Sequence, residues 1–146
     1  DSILNRIITN RRKGKQTFVF IDEIYILFMH EYSAQFLFKL WKRVRKYGAY
    51  CTGLTQNVED LLQSHTAGTM LSNSEFIIML NQAATDRDEL AKLLNISDQQ
   101  LSFIKNVSAG CGLIKVGSSL VPFENNFPKN TKLYRLMTTK PNDDFR

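Results

Sequence analysis

Two apolar runs, Thr17-Phe18-Val19-Phe20-Ile21 and Ala49-Tyr50-Cys51-Thr52-Gly53-Leu54-Thr55, enclose a single amphipathic helical segment. From Ala34 to Tyr47, the residues Phe36, Leu37, Leu40, Trp41, Val44 and Tyr47 share one face at helical spacing. Lys39, Lys42, Arg43 and Lys46 lie opposite, and Gly48 follows as a stop. Strands joined through a helix of this length are expected as parallel neighbours with their C-terminal ends side by side. The first run shows no polar alternation, which is the pattern of a parallel strand covered on both faces. The fold class expected from this unit is α/β, a parallel sheet flanked by helices.

The rest of the chain reads around that unit. Ile3, Leu4, Ile7 and Ile8 fit the tail of an amphipathic helix, ended by a basic loop at 11–16. Tyr25 to Tyr32 is a less regular apolar stretch leading to Ser33, a candidate N-cap. Asn57 with Asp60, Thr85 with Asp88, and Ser97 with Gln100 each pair a capping residue with a partner three positions on. Phe76 to Leu80 is another apolar strand. Gly112 to Val116, a turn at Gly117-Ser118-Ser119, and Leu120 to Phe123 predict a hairpin. Thr131 to Leu136 alternates and is expected as an edge strand, and Pro141 to Arg146 as a frayed end.

Composition excludes several classes. A length of 146 residues with 43% apolar content suits one domain with a real core. The sequence holds no apolar stretch long enough to span a membrane and no signal peptide. Asp1-Ser2-Ile3 reads as the interior of a longer protein. Cys51 and Cys111 have no CxxC spacing and are expected as reduced thiols of a cytosolic protein. The net charge of +5 is unevenly placed: residues 1–50 carry ten Lys/Arg against four Asp/Glu. These cations gather at Arg11-Arg12-Lys13-Gly14-Lys15 and at Lys39, Lys42, Arg43, Arg45 and Lys46, where they suit phosphates of nucleotide, nucleic acid or lipid, or simply a solvated helix face and loop.

The chemistry concentrates where the first apolar run ends, at Ile21-Asp22-Glu23-Ile24. In parallel α/β sheets ligands bind beyond the carboxyl ends of the strands. Hydrolysis of a phosphoanhydride needs a magnesium ion on the phosphates and a group orienting the attacking water. Asp22 suits the first task through the metal's water shell, and Glu23 suits the second as general base. Gln56, just past the next strand, has an amide able to hydrogen-bond both a γ-phosphate and the water. Arg45 and Arg87 are candidates for an arginine that stabilises transition-state charge. Arg45 stands at a helix edge just before the Gln56 strand, whereas Arg87 sits in a first turn between Asp86 and Asp88 and is the weaker candidate. No G-x-x-x-x-G-K-[ST] loop occurs in the 146 residues, so the sequence reads as the second half of a nucleotide-binding fold. His30-Glu31 lacks the second histidine of a zinc protease, His65 has no nucleophile pattern, and Gly14-Lys15 is not a phosphate loop.

The segments FVFIDEIYILF, FLFKLWKRVRKYGAYCTGLTQNVEDLL, MLSNSEFIIMLNQAATDRDELAKLL, GCGLIKVGSSLVPFENNFP and KLYRLMTTKP cover nearly the whole chain. Together they resemble the C-terminal part of the VirB-four/TraE-type ATPases of conjugation and type IV secretion, related to the HerA and FtsK motors. The resemblance implies that residues 1–146 are the C-terminal portion of one RecA-like P-loop ATPase domain ending in a β-hairpin and edge strand. It implies ATP and Mg²⁺ as cofactors, with Asp22 and Glu23 as the Walker B pair and Gln56 as the sensor. Arg45 falls where related DNA-pumping motors place an arginine that reaches a neighbour's nucleotide. Implied partners are further copies in a homo-hexamer, inner-membrane components of the secretion system, and DNA, with a cytoplasmic location at the inner face of the membrane. Without a phosphate loop, these residues alone are expected neither to bind ATP tightly nor to turn it over. Two other readings stay open: a DNA-translocating coupling-protein or FtsK-like motor, and a non-enzymatic basic interaction module.

Overall fold

The structure is a computed structural model and describes residues 2–138. In chain order it comprises α1 (Ser2–Arg12), β1 (Thr17–Ile21), α2 (Tyr25–Phe28), α3 (Glu31–Val44), β2 (Ala49–Gly53), α4 (Val58–Leu62), α5 (His65–Ser72), β3 (Phe76–Met79), α6 (Ala84–Leu94), α7 (Asp98–Leu101), β4 (Cys111–Val116), β5 (Ser119–Glu124) and α8 (Lys132–Met137). A 3-10 turn, Arg45–Tyr47, continues α3, and another, Ser102–Ile104, continues α7. The chain divides into two compact units, 1–75 with 84–96, and 76–83 with 97–146.

The first unit is built on the expected βαβ crossover. β1 and β2 pair in parallel with Thr17 opposite Ala49 and Ile21 opposite Gly53. The amphipathic helix α3 joins them and buries Ala34, Leu37, Leu40 and Val44. Gly48 ends the following turn in the left-handed region at φ 64°, a conformation that costs glycine little. Two apolar clusters result. Ile7 of α1, Leu40 and Val44 of α3, and Ala49 of β2 form one, with Val19 and Cys51 of the strands packed against it. Ile24, Phe28, Ala34, Leu37, Leu61, Ala67 and Met70 form the other, joining α2, α3, α4 and α5. Each fully buried Leu or Ile in such a cluster contributes about 1.5–3 kcal/mol relative to exposure.

The second unit is an antiparallel sheet in the order β3-β4-β5. The hairpin falls where the sequence places it, with Val116 opposite Ser119. Leu113 is fully buried at 0% exposure, as is Ile104 of the neighbouring 3-10 turn. Gly112 lies so close to the Met79 carbonyl of β3 that a Cβ has no room there. The capping box of α7 forms in both directions: the Gln100 backbone N–H donates to the Ser97 hydroxyl, and the Ser97 N–H donates to Gln100 Oε1 at 3.0 Å.

Four expectations need correction. Residues 131–136 are not an edge strand but the start of α8, whose Tyr134 N–H donates to the Thr131 hydroxyl at 3.2 Å. Leu133, Leu136 and Met137 are spaced as a helical stripe, which competes with the strand alternation and wins once that cap forms. Ser33 is not the N-cap of α3. His30 takes that place with extended backbone, while the Ser33 hydroxyl donates to the Leu27 and His30 carbonyls from inside the first turn. Likewise α6 starts at Ala84, which puts Thr85 inside it. Finally, β1 is covered on one face only. Thr17, Val19 and Ile21 turn toward the helices, whereas Phe18 and Phe20 are 61% and 70% exposed. Tyr50 of β2, stacked on Phe18 at 5.2 Å between ring centroids, shares that open face. The segment Pro141 to Arg146 lies outside the described residues.

Candidate functional site

The C-terminal edge of the parallel pair is held by one residue of β2's continuation. The Leu54 N–H donates to the Ile21 carbonyl at 2.9 Å, and the Leu54 carbonyl accepts from the Ile24 N–H at 2.9 Å. The two residues between those bonds, Asp22 and Glu23, are thereby pushed out as a turn at the end of the sheet. Ile24 closes the turn: only 3% exposed, it folds back over Gly53, where a Cβ would stand 2.6 Å from Ile24 Cδ1. The chain then runs straight into α2, with the Ile26 N–H donating to the Glu23 carbonyl at 3.1 Å.

Glu23 adopts φ 46°, a left-handed conformation that a non-glycine residue enters at a cost of about 1–3 kcal/mol. The bonds on either side of the turn impose it. Asp22 Oδ1 accepts from the Glu23 N–H at 3.0 Å, which orients the first carboxylate against the turn. Asp22 is exposed and Glu23 half-buried, and neither carboxylate is engaged in an ion pair among the described residues.

β2 delivers its own group to the same edge. The Thr55 hydroxyl accepts from the Asn57 N–H at 3.1 Å, folding a tight turn with Gln56 at its apex and exposed. Asn57 then caps α4, its Oδ1 accepting from the Asp60 N–H at 3.1 Å. Gln56 is thus fixed between strand and helix at the end of β2, while Asp22 and Glu23 leave the paired end of β1. Adjacent strands lie about 4.8 Å apart. The structure therefore brings Asp22, Glu23 and Gln56 to one edge.

Arg45 is elsewhere. It opens the 3-10 turn that precedes β2, at the N-terminal end of the sheet. The five-residue strand separates the two ends by about 13 Å, so Arg45 cannot complete the carboxylate edge of its own chain. Arg87 is half-buried in the first turn of α6, a helix that packs on α4 and α5.

The donor set fits magnesium in one specific way. No group of three or more His, Cys, Asp or Glu side chains is gathered among the described residues. A protein-built cage is therefore not what this edge offers. A lone hard carboxylate such as Asp22, working through retained waters beside substrate phosphates, is the usual arrangement for Mg²⁺. Cys51, on the helix-facing side of β2, has its thiol pKa pushed up by burial to about 11, which makes it a poor nucleophile.

Two residues that shape the site escaped the motif reading. Gly53 was visible only as one residue of an apolar run, and nothing in its neighbours announced the contact with Ile24. Thr55 had a signal, a hydroxyl two residues before a capping Asn, which is the spacing of a local side-chain turn.

Residues 3–111 match the TraG P-loop domain family. Among solved structures, that of VirB4 of Thermoanaerobacter pseudethanolicus is similar with a TM-score of 0.75 and 26% identity. The similarity covers 86% of this chain and 34% of that one, so the chain spans about a third of that protein's length. No curated protein matches.

Proposed function

Because this chain belongs to the TraG P-loop domain family, we propose that it is the Walker B and sensor portion of an ATPase that powers conjugative type IV secretion. The observation that carries this reading is the turn stapled by Leu54, which places Asp22 and Glu23 beyond the end of β1 with Gln56 beyond the end of β2. In this reading all 146 residues belong to one nucleotide-binding domain. Mg²⁺ supplies charge neutralisation of the phosphates when bound. Asp22 would hold the ion through its water shell, Glu23 would accept the proton of the attacking water, and Gln56 would orient that water against the γ-phosphate. Arg45, at the far end of the sheet, serves only a neighbouring subunit's nucleotide, as a hexamer would allow. Arg87, beside the helix that Gln56 leads into, is the weaker candidate for the same charge.

The open face of β1 and β2 supports a larger assembly of the fold. Parallel sheets are stable with both faces covered, and Phe18, Phe20 and Tyr50 present a face still uncovered. A further part of the same ATPase, bearing the phosphate-binding loop, would cover it. Among the described residues no helix is long and apolar enough to cross a membrane. The proposal places the protein at the inner membrane face, in contact with other secretion components.

The test uses a longer form of the protein that includes a phosphate-binding loop. Glu23→Gln keeps size and hydrogen bonding but removes the base, so ATP turnover falls by about 10²–10⁴-fold while nucleotide binding persists. Unchanged turnover would remove Glu23 from its role. Strong stimulation of hydrolysis by DNA would point instead to a translocating motor.

A further inference from the structure

Gln56 stands between two residues whose polar groups are already committed. On one side the Thr55 hydroxyl is used twice: it accepts from the Asn57 N–H at 3.1 Å and donates to the Asn57 carbonyl at 3.1 Å. On the other side Asn57 and Asp60 are joined twice. The Asp60 N–H donates to Asn57 Oδ1 at 3.1 Å, and Asn57 Nδ2 donates to an Asp60 carboxylate oxygen. Gln63 Nε2 continues the chain of side chains by donating to Asp60 Oδ1 at 3.4 Å. The Gln56 amide itself makes no hydrogen bond among the described residues.

Both ends of this turn rest on ordered structure. Before it, the Leu54 carbonyl accepts from the Ile24 N–H at 2.9 Å. After it, Val58 and Leu61 are each 7% exposed, and Leu61 packs in the cluster that holds Ile24 and Phe28. Between those anchors none of residues 55–57 is buried, and the Thr55 hydroxyl is the group that bridges the apex. A short exposed turn without such a bridge samples several backbone conformations, and its apex side chain moves with them. A hydroxyl bonded to both backbone groups of the residue two positions on removes that freedom. Groups that orient a reacting water lose efficiency steeply when displaced, so the bridge bears on the chemistry.

We propose that Thr55 is a positioning residue of the hydrolytic reaction, its hydroxyl fixing the turn so that the Gln56 amide is presented at the carboxylate edge. The proposal rests on the reading of Gln56 as the group that orients the attacking water. Thr55 acts through Gln56. Its one hydroxyl proton is given to the Asn57 carbonyl, so it does not donate to a phosphate.

Two variants separate the hydroxyl from the shape of the side chain. Thr55→Val keeps the branched outline and loses both hydrogen bonds, whereas Thr55→Ser keeps the hydroxyl. In the longer form of the protein that includes a phosphate-binding loop, Thr55→Val lowers kcat about 10-fold with KM for ATP little changed. Thr55→Ser stays within about 2-fold of the parent, and Gln56→Ala lowers kcat at least as far as Thr55→Val. Added to Gln56→Ala, Thr55→Val costs nothing more, because the two act as one unit. A readout without nucleotide accompanies these rates: in the 146-residue protein, hydrogen exchange of the Asn57 amide by NMR is about 10-fold faster in Thr55→Val and near the parental rate in Thr55→Ser. Parental turnover in Gln56→Ala overturns the reading of Gln56 and this proposal with it. A slow Gln56→Ala beside a Thr55→Val of parental turnover overturns the proposal alone. So does a Thr55→Ser as slow as Thr55→Val, or a further 10-fold fall when Thr55→Val is added to Gln56→Ala, since Thr55 would then act through the fold at large.

Discussion

Gly53→Ala is the substitution that most directly tests how the carboxylate edge is built. The added Cβ would stand 2.6 Å from Ile24 Cδ1 and 3.3 Å from Ile24 Cγ2. Ordinary carbon contacts begin near 3.5 Å, so one of the two side chains must move by about 1 Å. Ile24 is only 3% exposed and packed in the cluster with Phe28 and Leu37, so it has little room to yield. Overpacking of this kind costs about 1–3 kcal/mol. Replacing glycine in an ordinary strand conformation returns about 0.4–1 kcal/mol through the unfolded chain. At mid-range, about 2 kcal/mol of overpacking against about 0.7 kcal/mol returned, the net expectation is a loss of about 1.3 kcal/mol. Ile24→Val deletes the offending Cδ1 and alone costs about 0.5–1.5 kcal/mol. In the double variant the alanine no longer collides, so the two losses do not add, and the coupling exceeds about 0.5 kcal/mol in the compensating direction. Urea titration of the four proteins, followed by circular dichroism, measures the cycle. Strict additivity, or a Gly53→Ala variant as stable as the parent, would refute the packing argument and with it the claim that Gly53 admits Ile24 to close the Asp22-Glu23 turn.

Two further outcomes follow from the same elements. Glu23→Gly relieves the positive φ of 46° and is expected to raise stability by up to about 1 kcal/mol in urea melts, even as it abolishes turnover in the loop-containing protein; a loss of stability would mean the turn is not strained. Cys51, with a thiol pKa of about 11 against an ordinary 9.0, should alkylate with iodoacetamide at pH 8 about 100-fold more slowly than an unburied thiol, read by mass spectrometry of the two cysteine peptides. The sign for stability follows: the unfolded thiol ionises first, so stability is fully present below about pH 9 and declines as pH rises toward about 11. Rapid labelling of native Cys51, or stability rising across that window, would contradict its burial.

What the sequence makes legible is what short-range physics decides. The βαβ unit follows from helical and strand periodicity within residues 17–55, and the structure reproduces it with the amphipathic face of α3 inward. Asn57 and Ser97 are caps because a side-chain oxygen three residues before a free N–H needs no distant help. The failures are long-range or depend on competition. Thr131 to Leu136 satisfies strand and helix patterns at once, and the hydroxyl cap settles it. The helix α5 went unseen because its apolar content is short and interrupted by Gly68 and Thr69, although Ser64 caps it by accepting from the Ala67 N–H. At the site, Asp22, Glu23 and Gln56 could be named from position relative to strands. Which end of the sheet Arg45 occupies follows not from its helical face but from its place just before β2, since α3 returns the chain to the start of that strand.

That placement changes what the charges mean. In the sequence, Arg45 stands between an acidic pair and a glutamine and invites assignment to their site. In the fold it stands with Arg11, Arg12, Lys13 and Lys15 at the opposite end of the same two strands. An α/β unit of this kind has its ligand edge fixed by strand direction, so the carboxylates take that end and the cations are displaced to the other. The separation has an electrostatic consequence. With Debye screening of about 8 Å at physiological salt, the cations of that edge, about 13 Å along the strands, are largely screened from Asp22 and Glu23. The charges of one edge then act only weakly on those of the other. Any coupling between them has to travel mechanically, and the rigid path available is the pair of strands themselves, clamped at one end by Thr17 to Gly48 and at the other by Leu54 to Ile21 and Ile24.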